Sequence, residues 1–160
     1  MERPGSHPSD RTKEVVDVEV LPRVPDVLLP YIDRWTVQEP QALDLQIVRA
    51  MQAQMDAGLA WLLRHGHVYL YVRRVTPWVG QVHLYNLGST WNMVRGFREL
   101  TKVGLEGFAK LEARVPDQRY GSVMMRCGWK HEATYRRSFC TADGDFLDEH
   151  GYGVSKWDQS

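Results

Sequence analysis

From Leu111 to Val115 apolar and charged residues alternate one by one, the period of a strand with one buried face, and Pro116 stops the run. Strand-like runs recur at residues 15–20, 59–64, 67–74, 79–87, 131–140 and 146–156. Within 67–74, Val68, Leu70 and Val72 point one way and Tyr69, Tyr71 and Arg73 the other. The period lengthens elsewhere. Leu43, Ile47, Val48, Met51 and Met55 recur at helical spacing, with Gln and Asp opposite, and predict a helix over 41–58. Further helices are expected over 26–35, where Asp26 can cap and Trp35 closes the apolar face, and over 91–104 and 118–126. For the last of these Asp117 is the natural N-cap and Cys127-Gly128 the stop.

Punctuation agrees with this order. Pro22 and Pro25 break the chain after the first strand, His65-Gly66 and Asp143-Gly144 suit hairpin turns, and Thr76-Pro77 separates two strands. The expected fold is α/β: a single domain with a mixed, mostly antiparallel sheet of six to seven strands flanked by about four helices. It should span 15–156, with an extended or disordered tail at 1–14 and a short one at 157–160.

Composition narrows the function. At 160 residues, 43% of them hydrophobic, the chain can bury a core. Twenty acidic and twenty basic residues cancel, so no global charge draws it to nucleic acid or an anionic membrane. No apolar run approaches the ~20 residues that cross a bilayer, and 1–13 lacks the apolar centre of a signal peptide, which predicts a cytoplasmic protein. Cys127 and Cys140 are too few for a disulfide framework or a zinc site and read as reduced packing residues. Four of the six tryptophans, Trp35, Trp61, Trp78 and Trp91, fall at element edges, where an indole can bury its ring and keep its N–H wet.

Candidate chemistry gathers on the fourth strand. His83 and Tyr85 share one face, and Glu112 sits on the next strand. His83 and Glu112 together could deprotonate an amine, directly or through water. The His65-Gly66-His67 spacing lacks partner ligands and reads as a turn, so no metal is expected. The doublets Arg73-Arg74 and Arg136-Arg137 put one guanidinium on each strand face, beside Tyr69, Tyr71 and Tyr135, and read as solvated strand faces with ion pairs.

The closing unit of strand, helix and two strands, with Gly128-Trp129 just past the helix, Glu132 and Arg136 in the next strand, and Phe146, Asp148 and Tyr152 in the last, resembles the carboxyl-terminal half of GNAT-type N-acyltransferases. The element order resembles that family over about residues 15–156. The resemblance implies acetyl-CoA as cofactor, bound along the fourth strand and the loop after it: Leu84, Asn86, Leu87, Gly88, Ser89 and Thr90, with Asp117 at the family's Asn position. Beside the bases read above, His83 and Glu112, it suggests Tyr120 as a stand-in for the family's acid tyrosine, whose place Met124 takes. The family's loop, Gln/Arg-x-x-Gly-x-Gly/Ala, here has one glycine, two hydroxyls, no basic residue, and Trp91 where a small side chain is usual. Two functions follow. One is acetyl transfer to an amine by direct attack in a ternary complex, the acceptor being unspecified. The alternative is a non-catalytic module that binds a protein partner or its own copy, similar to phage-encoded GNAT-like virion or assembly proteins.

Overall fold

The computed structural model describes residues 17–32, 40–116, 118–141 and 143–159. The predicted tail at 1–14, the start of the first strand, Trp35 and the Asp117 cap lie outside the described residues.

Strands β1 (Glu19–Leu21), β2 (Ala60–His65), β3 (Val68–Arg74), β4 (Val79–Asn86), β5 (Lys110–Val115), β6 (Lys130–Cys140) and β7 (Phe146–Ser155) form one sheet in the order β1-β2-β3-β4-β5-β7-β6. All neighbours are antiparallel except β4 and β5. Helices α1 (Leu29–Ile32), α2 (Pro40–Asp56), α3 (Thr90–Gly107) and α4 (Gln118–Arg126) flank it. Among the described residues, no helix is long and apolar enough to cross a membrane.

Two expectations need correction. Among the described residues the first strand holds 19–21, reaching Leu21 where 20 was expected as its end and leaving 17–18 out: Leu21 packs on the cluster under α2, and Glu19 is bound 2.7 Å from Arg64 of β2, which fixes the register there. Of the early helix, the described residues hold a 3-10 turn, Asp26–Leu28, running into α1. Asp26 does not cap it. Pro25 holds that position, and its carbonyl accepts the Leu28 N–H at 3.0 Å.

Strand alternation divides the core into two layers. Leu63, Val68, Leu70, Val72, Val82, Leu111, Ala113, Tyr152 and Val154 face α3 and α4. Ala60, Leu62, Tyr69 and Tyr71 face the opposite way, onto Leu28, Ile32 and Met51 of the first helical segments. Helix α3 lies close to the sheet because glycine lets it. A Cβ on Gly96 would stand 2.8 Å from the Val68 Cβ, and one on Gly104 2.8 Å from Leu111 Cδ1. Phe97 and Leu100, fully buried, fill the space between. Trp129 is buried on Phe97 (5.1 Å between ring centroids) and donates its indole N–H to Thr101 Oγ1 at 3.2 Å.

The turns follow the punctuation. Gly66 (φ 61°) and Gly144 (φ 86°) take the left-handed conformations those hairpins require. The thiols of Cys127 and Cys140 are free, and that of Cys127 lies against the Val94 carbonyl. Trp61 packs half-buried on the core as expected, but Trp78 and Trp91 depart from expectation, being 67% and 74% exposed.

The contact of Gly96 with a β-branched strand residue leaves no room for relaxation. Gly96→Ala should lose about 1–3 kcal/mol in urea unfolding, overpacking outweighing the ~1 kcal/mol gain in helix propensity. Val68→Ala should relieve most of that loss in the double variant. A neutral or stabilising Gly96→Ala would show that α3 is not held at this distance.

Candidate active site

Strands β4 and β5 pair over three positions only, Val79 with Lys110, Gly80 with Leu111 and Gln81 with Glu112. Beyond Gln81 each keeps its outer neighbour, β4 with β3 through Asn86 and β5 with β7 through Val115, while the two part from one another. A V-shaped opening is left in the middle of the sheet. The Leu87 N–H donates to the His67 carbonyl at 2.9 Å. Hydrogen bonding alternates along an antiparallel ladder, so the N–H and C=O of Val82, Leu84 and Asn86 turn away from β3, into the opening.

A cavity of about 410 Å³ occupies this region. Its wall takes His83 and Tyr85 from one face of β4 and Val82 and Leu84 from the other, so it reaches both sides of the sheet through the opening. Helix α2 contributes Ile47, Met51 and Gln54, β3 contributes Tyr71 and Arg73, β5 Arg114 and Val115, α4 Tyr120 and Met124, and the last hairpin Phe139 and Glu149.

The polar groups of the wall are held in place. Tyr71 donates its hydroxyl to Gln54 Oε1 at 2.6 Å, and burial pushes its pKa up to about 12. Tyr85 is raised further, again by burial. Both phenols therefore stay protonated near neutrality. Arg73 donates to Gln81 Oε1 at 2.6 Å, Arg114 stacks 3.7 Å above the Tyr135 ring, and Ser138 Oγ donates to Glu149 Oε1 at 2.8 Å. His83 opens into the cavity 6.3 Å from Tyr71, ring to ring; its side chain is exposed there, and the surrounding walls rather than close contact desolvate it. Desolvation and the Arg73 charge lower its pKa, so its imidazole is neutral and can accept a proton.

At the end of β4 the chain turns into α3. Ser89 is the N-cap and accepts the Asn92 N–H on its Oγ at 3.2 Å. The amides of Thr90 and Trp91, at the first helical positions, have no acceptor within the helix. Asn86 bridges the loop. Its Oδ1 accepts the Gly88 N–H at 3.0 Å and its Nδ2 donates to the Gly88 carbonyl at 3.1 Å.

No protein-family model and no curated protein matches the sequence. Solved structures do. A ribosomal L7/L12 α-N-protein acetyltransferase, RimL, in complex with coenzyme A superposes with a TM-score of 0.63 at 15% identity, over 87% of this chain and 94% of the other. A ribosomal-protein-S5-alanine acetyltransferase from Vibrio fischeri gives 0.64 at 12% identity, over 89% and 94%. Spermidine N-acetyltransferase from Vibrio cholerae, in complex with coenzyme A and spermine, gives 0.61 at 10%, over 89% and 97%. The chain has the GNAT fold.

On that fold the expected site residues separate into two groups. His83, Leu84 and Tyr120 line the cavity, together with Met124. Asn86, Leu87, Gly88, Ser89 and Thr90 form the strand end and helix start beside it. Glu112 lies outside the cavity wall. It sits beside Lys110, whose Nζ is 3.4 Å from Glu112 Oε1 and 2.8 Å from Glu132 Oε1, so the expected pairing of His83 with Glu112 is not made. Asp117 lies outside the described residues. Arg73, read as part of a solvated face, is instead a cavity residue; Arg74, on the opposite face, covers Trp61 and Phe108.

Tyr71, Tyr85, Arg114 and Glu149 also line the cavity. Alternation already placed Tyr71 and Arg73 on one face and Tyr85 with His83, a signal for three polar neighbours on adjoining strands. Nothing local marks Glu149, which arrives through the long pairing of β7 with β5. Two other family-like positions of the closing strands make structural contacts: Asp148 Oδ1 accepts the Arg137 N–H at 2.8 Å, and buried Tyr152 packs on His131.

The lowered pKa of His83 is measurable. Its imidazole should titrate below the ordinary 6.5 by NMR, and Arg73→Gln should move the midpoint up. The unfolded chain then binds the proton more readily than the folded one. This group's contribution to stability is therefore full above pH ~6.5 and falls as pH drops towards the folded pKa. A midpoint at or above 6.5 would overturn the assignment.

Proposed function

We propose that the protein is an acyl-CoA-dependent N-acyltransferase acting on an amine in a ternary complex. The observation that carries this reading is the opening between β4 and β5, with a cavity reaching both sheet faces through it and a helix N-terminus at its end. An opening of this kind costs backbone hydrogen bonds, and an extended, amide-containing ligand can return them.

The backbone fits such a cofactor better than the side chains do. Leu84 and Asn86 offer strand N–H and C=O groups. Leu87, Gly88, Ser89 and Thr90 lead into the first turn of α3, whose amides and dipole favour a diphosphate. No Lys or Arg comes from this loop, and Asn86 already occupies the Gly88 amide, so recognition there rests on Ser89, Thr90 and the residues after them. When bound, acyl-CoA would supply an activated thioester. The chain would do the rest. Neutral His83 accepts the proton of an ammonium acceptor, releasing its lone pair. Tyr120, on the α4 side of the cavity, is the candidate proton donor to a departing thiolate. The walls bring the reactants together and exclude water, a large share of the available acceleration in a direct transfer.

Two observations favour a second reading, a GNAT-fold module without catalysis that binds a protein: the closed Asn86–Gly88 contact and Met124 at the acid position.

Calorimetry with acetyl-CoA and free CoA decides between them, followed by turnover on a panel of amines. Cofactor binding at about micromolar Kd is expected, with His83→Gln lowering kcat about 100-fold or more while cofactor affinity holds. No binding at millimolar cofactor and no turnover would remove the enzyme reading and leave the module.

A further inference from the structure

We infer that the cavity takes a small amine bearing a carboxylate and an apolar body, of the class of an apolar α-amino acid, and that Arg73 and Arg114 hold the carboxylate. This rests on reading the cavity as the acceptor site.

Both arginines line this cavity, Arg73 from β3 and the exposed Arg114 from β5, on either side of β4 and its His83. Each is oriented by a neighbour and keeps donors for a ligand. Arg73 gives one hydrogen bond to Gln81 of the five N–H groups a guanidinium carries, and Arg114 lies flat on Tyr135 so that its edge stays available. The Gln81 contact fixes the Arg73 fork, and a fork held in advance loses less entropy when it grips a carboxylate. Among the described residues of the wall, Glu149 is the single carboxylate, and it already accepts from Ser138. The Arg73 charge reaches the neighbouring groups, acting on both His83 and Tyr71 in the direction that resists protonation.

A polycationic amine is disfavoured in such a field, and an anion is drawn to it. The remaining wall is apolar or aromatic, with Ile32, Ile47, Met51 and Phe139 facing the tyrosines, and it can take a hydrocarbon side chain. At about 410 Å³ the cavity stands at the small end of ligand pockets, which run about 300–1,000 Å³.

Calorimetry and saturation-transfer NMR on the full chain, with and without CoA, test this with three probes: L-phenylalanine, phenethylamine and spermidine. Phenylalanine should bind at least about tenfold more tightly than the other two, the value of a charge-assisted hydrogen bond. Arg73→Gln and Arg114→Gln should each remove about tenfold of that preference by weakening phenylalanine binding, with phenethylamine bound at least as well as before, and Arg114→Lys should keep part of it. Thermal unfolding of each variant separates loss of the site from loss of the fold. The inference fails if phenethylamine or spermidine binds as well as phenylalanine, if none of the three binds, or if both Gln variants keep the preference while folded. The two proposals fail separately. Carboxylate-dependent binding without acyl transfer removes the enzyme and keeps the site. Transfer to amines regardless of a carboxylate does the reverse.

Discussion

A strand inside a sheet has two edges to satisfy, and β4 satisfies one of them fully and the other for only three residues. Gly80 marks the tightest point: a Cβ there would stand 2.8 Å from Val72 Cγ1 and 3.2 Å from Leu111 and Phe108, so β4 is clamped onto its neighbours just before it leaves β5. From Val82 onward the backbone groups on the β5 side are open. In an interior position such groups are expensive unless water or a ligand meets them. The placement of His83, the reach of the cavity through both faces of the sheet and the start of α3 at the end of β4 all depend on that divergence.

The divergence is stable because its two sides are anchored separately. On one side β3 and β4 pair along their whole length and rest against α3, with Val68 pressed on Gly96. On the other, β5 pairs with β7 over six positions and Leu111 meets α3 at Gly104. One helix therefore touches both arms of the opening and fixes their separation from below. Helix α4 packs under the far arm, where Met124, at 1% exposure, closes the cavity. Neither arm needs the other beyond Gln81, so the opening leaves the core intact.

Periodicity revealed most of this architecture and little of the site. The runs in 59–115 and 118–156 match the observed strands and helices closely, since alternation and helical spacing are local consequences of burying one face. The first strand and the early helix were harder to place. Three residues of β1 and one turn of α1 carry too little pattern, and their limits come from what they pack on: Leu21 under α2, Leu28 and Ile32 against Tyr69 and Tyr71. For the site, sequence reasoning placed His83 on the correct strand and face. It missed the position of Glu112, because parallel pairing sets which residue lies opposite Glu112, and Gln81, not His83, is there. It also read Arg73 as solvated. The alternation that assigned Arg73 to a face could not say that the face is roofed by α2.

The same limit applies to charge. Balanced acidic and basic residues exclude a long-range field and say nothing about a short-range one. Close to a wall lined by two arginines and one engaged carboxylate, those few side chains set the local charge whatever the chain sums to. Many of the acids lie elsewhere. Glu112 and Glu132 share Lys110 on the open face of the sheet, and Asp158 is held by Ser155 and Lys130 past the end of β7. Glu19 is tied to Arg64 at the far edge. Each of these pairs neutralises a cation that might otherwise have balanced the surface differently, and none reaches the cavity. A neutral protein with a positive pocket follows from where the acids are placed rather than from how many there are.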